Sequence, residues 1–152
     1  MPSPIPGLRI TRELAELDRP TIHRWLAEES YWAAGRSIAV IDRSLEASQC
    51  FGALEPSGTL VGLCRVVTDG ATFAWLCDVF VAAEHRGRGI GHLLVGTALD
   101  DLEHQGVPRV LLATADAHGV YADLGFSPLA TPERFMELDR RPEALRRGRL
   151  EP

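Results

Sequence analysis

Arg86-Gly87-Arg88-Gly89-Ile90-Gly91 follows directly on the apolar run Ala74 to Ala82 and leads into the apolar-periodic stretch Ile90 to Leu102. A strand that runs into a glycine-spaced turn opening a helix is a device for holding phosphate. The first N–H groups of a helix lack intrahelical partners and sit at the positive end of its dipole, so they converge on an anion without side chains. Glycines let that backbone come close, and the two arginines add charge. The stretch predicts a pyrophosphate cradle.

Spacing narrows which cradle it is. A dinucleotide turn needs G-x-G-x-x-G with an acidic residue about twenty positions on, and a P-loop needs G-x-x-x-x-G-K-[ST]; here Gly87, Gly89 and Gly91 alternate and no lysine is near. The pattern [RQ]-x-x-G-x-[GA] is met by Arg86, Gly89 and Gly91. Downstream, residues 114 to 126 read T-A-D-A-H-G-V-Y-A-D-L-G-F, against N-x-x-A-x-x-[LV]-Y-x-x-x-G-F. With these two motifs in this order, the chain resembles the GNAT family of acetyl-CoA-dependent N-acetyltransferases. The usual asparagine, which bonds the pantetheine arm in that family, is Thr114 here, whose hydroxyl can still donate or accept.

Composition agrees with one small enzyme. The 152 residues, 45% of them hydrophobic, suffice for one domain with a real core. A net charge of −5 argues against nucleic acid, which needs a basic surface. Cys50, Cys64 and Cys77 are odd in number, far apart and set in apolar runs; they read as buried free thiols of a cytoplasmic protein, not as a disulfide or metal framework. The N-terminus has neither a basic n-region nor an apolar h-region, and no run approaches membrane-spanning length, so secretion and membrane insertion are not indicated.

The chain divides readily. Pro2, Pro4, Pro6 and Gly7 predict an extended leader and Leu8 to Thr11 a first strand. Asp18 and Pro20 start a helix carrying Ile22, Trp25 and Leu26 on one face, and Ser37 caps another through Ile38, Ile41 and Leu45 to about Ser48. Strands follow over Cys50 to Glu55 and Leu60 to Thr68, the latter apolar on both parities and so covered on both faces. Asp69-Gly70 predicts a type I′ hairpin into a strand over Thr72 to Ala82. The helix after the glycine turn points Ile90, Leu93, Leu94, Ala98 and Leu102 inward. Val110 to Ala113 is a core strand, Ala117 to Leu124 a short helix and Phe135 to Leu138 a final strand, before a charged, loose tail. The expected fold is α/β (α+β), a central mixed, mostly antiparallel sheet flanked by helices. It forms a single GNAT domain over residues 1 to 152, with its motif core at 60 to 139 and acceptor-side helices at 18 to 48.

The resemblance implies roles. The cofactor set is Val79, Phe80 and Val81, whose strand pairs with the pantetheine arm, the turn Arg86, Gly87, Arg88, Gly89, Ile90 and Gly91, and Thr114. A main-chain N–H near Val79 would face the thioester carbonyl, and Tyr121 stands where the family places the acid that protonates the departing thiolate, with His118 as the fallback. From a thiol near pKa 8.5 and a tyrosine near 10 that transfer is uphill by roughly 2 kcal/mol. A lysine-like amine costs about 4.6 kcal/mol to deprotonate at pH 7 and an α-amine near 8 about 1.4, so a basic acceptor wants acidic neighbours. Asp78, where polyamine acetyltransferases carry an acidic residue, and Glu28 are the candidates for that catalytic part. Glu29, Tyr31, Trp32 and Arg36 make the expected acceptor wall. The cluster also resembles bacterial members of unknown acceptor. The implied function is direct acetyl transfer to a small primary amine in a ternary complex, with no metal and with room for a homodimer. A protein or peptide acceptor, or a CoA-binding regulatory domain without turnover, are the alternatives.

Overall fold

The computed structural model describes residues 5–146; Pro2 and Pro4 of the expected leader and the end of the tail lie outside the described residues. Strands β1 (Arg9–Thr11), β2 (Gln49–Leu54), β3 (Leu60–Thr68), β4 (Ala74–Val81) and β5 (Val110–Leu111) form one sheet in sequence order. All neighbours are antiparallel except β4 and β5, which run parallel.

The helices cover both faces. Helix α1 (Arg19–Arg24) starts where Asp18 caps it and Pro20 presets its first turn. A wide π-type turn over Trp25–Glu29 extends it. The Ser37 side chain accepts from Val40 N–H to start α2 (Ile38–Glu46). These helices bury Ile22, Trp25, Leu26, Ile41 and Leu45 against Leu54, Leu63 and Phe80 on one face. Helix α3 (Ile90–Gln105) covers the other, where Ile90, Leu94, Val95, Ala98 and Leu102 meet Phe51, Val61, Cys64 and Val66. Strand β3 is thus buried on both sides, as its apolar run predicts. Leu93 and Ile38, expected inward, are exposed. Leu93 flanks the i, i+4 stripe that meets the sheet, and Ile38 occupies the first helical position, outside the packed turns.

Three further expectations are corrected. Asp69-Gly70 does not form a two-residue type I′ turn. That turn needs positive φ at both central residues, and of the two only Gly70 has it. Instead the Asp69 carboxylate accepts from the N–H groups of Ala71 and Thr72 at 2.9 and 2.8 Å, and the last strand pair is Thr68 with Ala74. Strand β5 ends at Leu111, two residues early, because β4 and β5 pair only through Ala74–Val110 and Trp75–Leu111 and then part. Phe135 to Leu138 is not a strand: Met136 is 97% exposed, and the short outer edge of β5 offers that segment no ladder. Helix α4 (His118–Asp123) follows β5, and a single turn, α5 (Glu143–Arg146), closes the described chain. Among the described residues no helix is long and apolar enough to cross a membrane.

Gly62 sets how closely α3 approaches the sheet, since a Cβ there would lie 2.8 Å from Leu94 and 3.2 Å from Ile90. Gly62→Val is expected to push α3 outward and cost about 1–3 kcal/mol, lowering the thermal midpoint by several degrees. Gly96, on the same helix with open space around its Cα, should respond oppositely, Gly96→Ala gaining about 0.5–1 kcal/mol. Calorimetric melting of the two variants checks the pair.

Candidate active site

The parting of β4 from β5 opens a cleft whose floor is β4. Along it the pairing with β3 steps from Arg65–Cys77 to Leu63–Phe80, so Asp78 and Val79 together oppose Cys64. This is a β-bulge, which frees backbone from the ladder and re-aims the strand. Asp78 is at φ +50°, the one non-glycine residue at positive φ among those described.

What holds that conformation is the Asp78 side chain, 1% exposed. Its Oδ1 accepts from the Trp32 indole N–H at 2.8 Å; Oδ2 accepts from Arg65 Nε at 2.8 Å and from an Arg36 N–H at 3.1 Å. Burial pushes the carboxyl pKa up, but the guanidinium charges of Arg65 and then Arg36 more than offset it, and the net direction is down. Asp78 is therefore an ionised anchor with both oxygens occupied, not a free base facing a substrate amine.

Above it lies a cavity of about 290 Å³, bounded by Tyr31, Trp32, Arg36, Val79, Thr114 and Tyr121 among others. Tyr31 reaches across the cleft, its Oη accepting from Ala115 N–H at 3.1 Å, and its ring stands edge-on to Trp32 at 5.0 Å. Thr114 turns its hydroxyl to the N–H of Ala117 at 3.1 Å and so caps the approach to α4. The Tyr121 hydroxyl has no protein partner among the described residues, and its ring packs edge-on against Phe126 at 5.9 Å. Burial first, then nearby negative groups, push its pKa up to about 12, so it stays protonated. His118 is exposed on the same helix.

Beyond the bulge, β4 leads through a short turn at Ala83–His85 to Gly87 and Gly89, at φ +77° and +80°. Gly89 is the residue before α3, and no side chain caps that helix start, so its first N–H groups are free for an anion. Arg86 is tied back to the strand, Nε donating to Val81 O at 2.9 Å with the guanidinium over the Phe80 ring. Arg88 is exposed and makes no ion pair among the described residues. Val79 and Val81 face the α3 side, whereas Phe80 stacks on Trp25 at 5.1 Å. Ile90 is buried and Gly91 lies at ordinary contact distance from Val81. This backbone fits a pyrophosphate.

Glu28 and Glu29 are not in the cleft. Both are exposed. Glu29 receives Arg24 Nε at 3.3 Å and borders a separate cavity with Ala82 to His85. Both lie in the wide turn at Trp25–Glu29, whose buried residues are Trp25 and Leu26, a local geometry that side-chain spacing does not announce. Three charged lining residues escaped the sequence reading: Arg65, Asp116 and Arg141. Arg65 did leave a signal, as the single charge in a strand otherwise apolar on both parities. Cys77 lines the same wall, its thiol pushed up to about 11 by burial.

Known proteins can be set against this geometry. The family model described as "Acetyltransferase (GNAT) family" matches residues 13–126. A Gibberella zeae protein bearing an acetyltransferase name is 33% identical, the match covering 70% of this chain and 71% of that protein. A crystal structure from Xanthomonas campestris, described as a GNAT-family acetyltransferase, is 40% identical, with a TM-score of 0.84 over 89% of this chain and 94% of that one. A Mycobacterium tuberculosis protein solved in complex with CoA is 20% identical, with a TM-score of 0.67 over 80% of this chain and 72% of that one, a likeness of fold.

Two expectations follow from the geometry. Gly89→Val forces a branched side chain into φ +80° and blocks backbone approach; CoA affinity should fall at least about tenfold in a folded variant, read by calorimetry. Asp78→Asn leaves two guanidiniums facing a neutral amide and should cost about 3 kcal/mol, or roughly 6–12 °C in thermal midpoint. Because the folded carboxyl pKa is lowered, its stabilisation is present above the ordinary carboxylate pKa of about 4 and is lost as pH falls through the folded value. The variant's stability should accordingly depend less on pH on the acid side.

Proposed function

We propose, for a chain that belongs to the acetyltransferase (GNAT) family and so performs acetyl-CoA-dependent acyl transfer, that its acceptor is a small primary amine attacked directly in a ternary complex. One observation carries this reading: the bulge at Asp78 and Val79 and the unpartnered Tyr121 hydroxyl border one small cavity, on the strand that ends in the glycine turn. A cavity of about 290 Å³ is at the low end of small-molecule sites. A protein acceptor wants an open groove, and Tyr31 spans the cleft instead.

The parts divide by strand position. Backbone from Gly87 to Gly91 holds the pyrophosphate, and Val79 to Val81 lies along the pantetheine arm. Acetyl-CoA supplies the acetyl group as a thioester. An N–H of the bulge near Val79 donates to the carbonyl oxygen, an arrangement that gains strength as charge builds there. As the amine nitrogen bonds to the carbonyl carbon and the carbon–sulfur bond breaks, the sulfur takes the Tyr121 proton, the amine loses one to solvent, and solvent restores the phenol. Asp78 is a positioning residue in this account, holding the bulge rather than the proton.

The raised Tyr121 pKa fits the role better than it first suggests. Against an ordinary thiol near 8.5, a phenol near 12 makes the transfer uphill by about 5 kcal/mol. A thiol in this wall is not ordinary: burial pushes Cys77 up to about 11. A leaving sulfur in the same surroundings is raised for the same reason, which narrows the gap. The same value keeps Cys77 protonated and a poor relay for the acetyl group.

Tyr121→Phe keeps the ring packing and deletes the proton. It is expected to lower kcat by about 10²-fold or more with little change in acetyl-CoA affinity, measured by free-thiol release over an amine panel. Cys77→Ala should keep turnover, and the intact mass of the protein with acetyl-CoA alone should carry no acetyl adduct. An adduct on Cys77 would replace direct attack with a two-step route.

A further inference from the structure

The cavity's charges do not suit a polycation. At its floor one carboxylate, Asp78, serves two guanidiniums, Arg36 and Arg65. Arg65 is 12% exposed and also donates to Ser48 Oγ at 3.0 Å, whereas Arg36 is 25% exposed and spends a single N–H on Asp78. A guanidinium has five N–H donors in a planar fork; the rest of Arg36's have no protein partner among the described residues. Arg141, at the rim, is already paired with Asp139 at 2.9 Å. Glu28 and Glu29 do not line the cavity and leave this charge unbalanced. Asp116, on the far wall near Tyr121, is exposed. The charged side chains lining the cavity are thus Arg36, Arg65 and Arg141 with Asp78 and Asp116, and of the arginines Arg36 has the most N–H groups without a protein partner among the described residues.

We infer that the acceptor is an amine carrying its own anionic group, a carboxylate or phosphate a few bonds from the nitrogen, which docks on Arg36 while the amine lies toward Tyr121 and Val79. This rests on the acetyl-transfer reading for which end of the cavity reacts. An anion accepting from the free edge of Arg36 completes the two-to-one imbalance around Asp78. Arg36 is then a specificity-determining residue, and a chain read from its sequence as suited to cationic acceptors selects amphoteric ones.

Matched ligand pairs test this. In thiol-release assays, α-amino acids are compared with their decarboxylated amines, and aminoalkyl phosphates with the corresponding amino alcohols. In calorimetry on CoA-saturated protein, the N-acetyl products of the same pairs are titrated. The charged member of at least one pair should be favoured by about 10–100-fold, the usual worth of a charge-assisted hydrogen bond; the pair that responds identifies carboxylate or phosphate. Arg36→Gln should collapse the ratio toward one and Arg36→Lys should retain part of it, both with melting curves that confirm folding. Equal or better use of the uncharged members, or a preference that survives Arg36→Gln, overturns the inference. Product binding with the charge preference but no turnover would sink the acetyl-transfer reading and leave the anion site standing; turnover without the preference would do the reverse.

Discussion

Everything in the cleft depends on the Asp78 carboxylate and its three donors. A non-glycine residue at φ +50° costs on the order of 1–2 kcal/mol, and an aspartate in mid-strand is an unlikely choice on propensity alone. Trp32, Arg36 and Arg65 make it favourable. They reach Asp78 from the loop after α1 and from β3, so one buried anion fastens two parts of the chain to β4 at the residue where that strand must bend. The bend changes which backbone groups of β4 face the cleft, and so the geometry of any reaction there.

Strand β4 also runs past both reactants in the proposed complex. Its far end delivers the glycine turn and the free N–H groups of α3, and its middle carries the bulge. Helix α3 is seated against β3 at Gly62, where the absence of a side chain allows close packing. The distance between the phosphate-holding turn and the bulge is therefore fixed by one strand and one tightly packed helix. A rigid spacing of this kind suits a long, flexible cofactor, whose reacting end is placed by clamping its other end and its arm.

The fold was legible where backbone logic governs. Asp18, Pro20 and Ser37 start the helices they signal, the double-parity run of Leu60 to Thr68 is buried on both faces, and Gly87 and Gly89 do take positive φ. What was not legible depends on side-chain partners and local backbone departures that apolar periodicity does not encode. Asp69-Gly70 carries a hairpin signature, yet the Asp69 carboxylate takes the N–H groups that a tighter turn would have left to the ladder. Glu28 and Glu29 lie near Trp32 and Arg36 in sequence, but they are exposed in a wide turn and do not line the cavity. The ion-pair cluster at Asp78 was not legible, because its partners, 13 to 46 residues away, are invisible to local pattern.

That division has a functional counterpart. The proposed cofactor half of the cleft is made largely of backbone: glycine φ angles, a helix start and a strand edge, which a short motif can specify. The proposed acceptor half is made of side chains on a loop and a strand: Trp32, Arg36 and Arg65, joined through Asp78, with Tyr31 packed on Trp32. Substituting one of them changes the charge and shape of the acceptor end without moving the glycine turn, provided the carboxylate keeps enough donors to stay ionised and β4 stays bent. Arg36 has the most freedom, since Arg65 and Trp32 already hold both Asp78 oxygens. The residue that the scaffold needs least is thus the one best placed to choose the substrate.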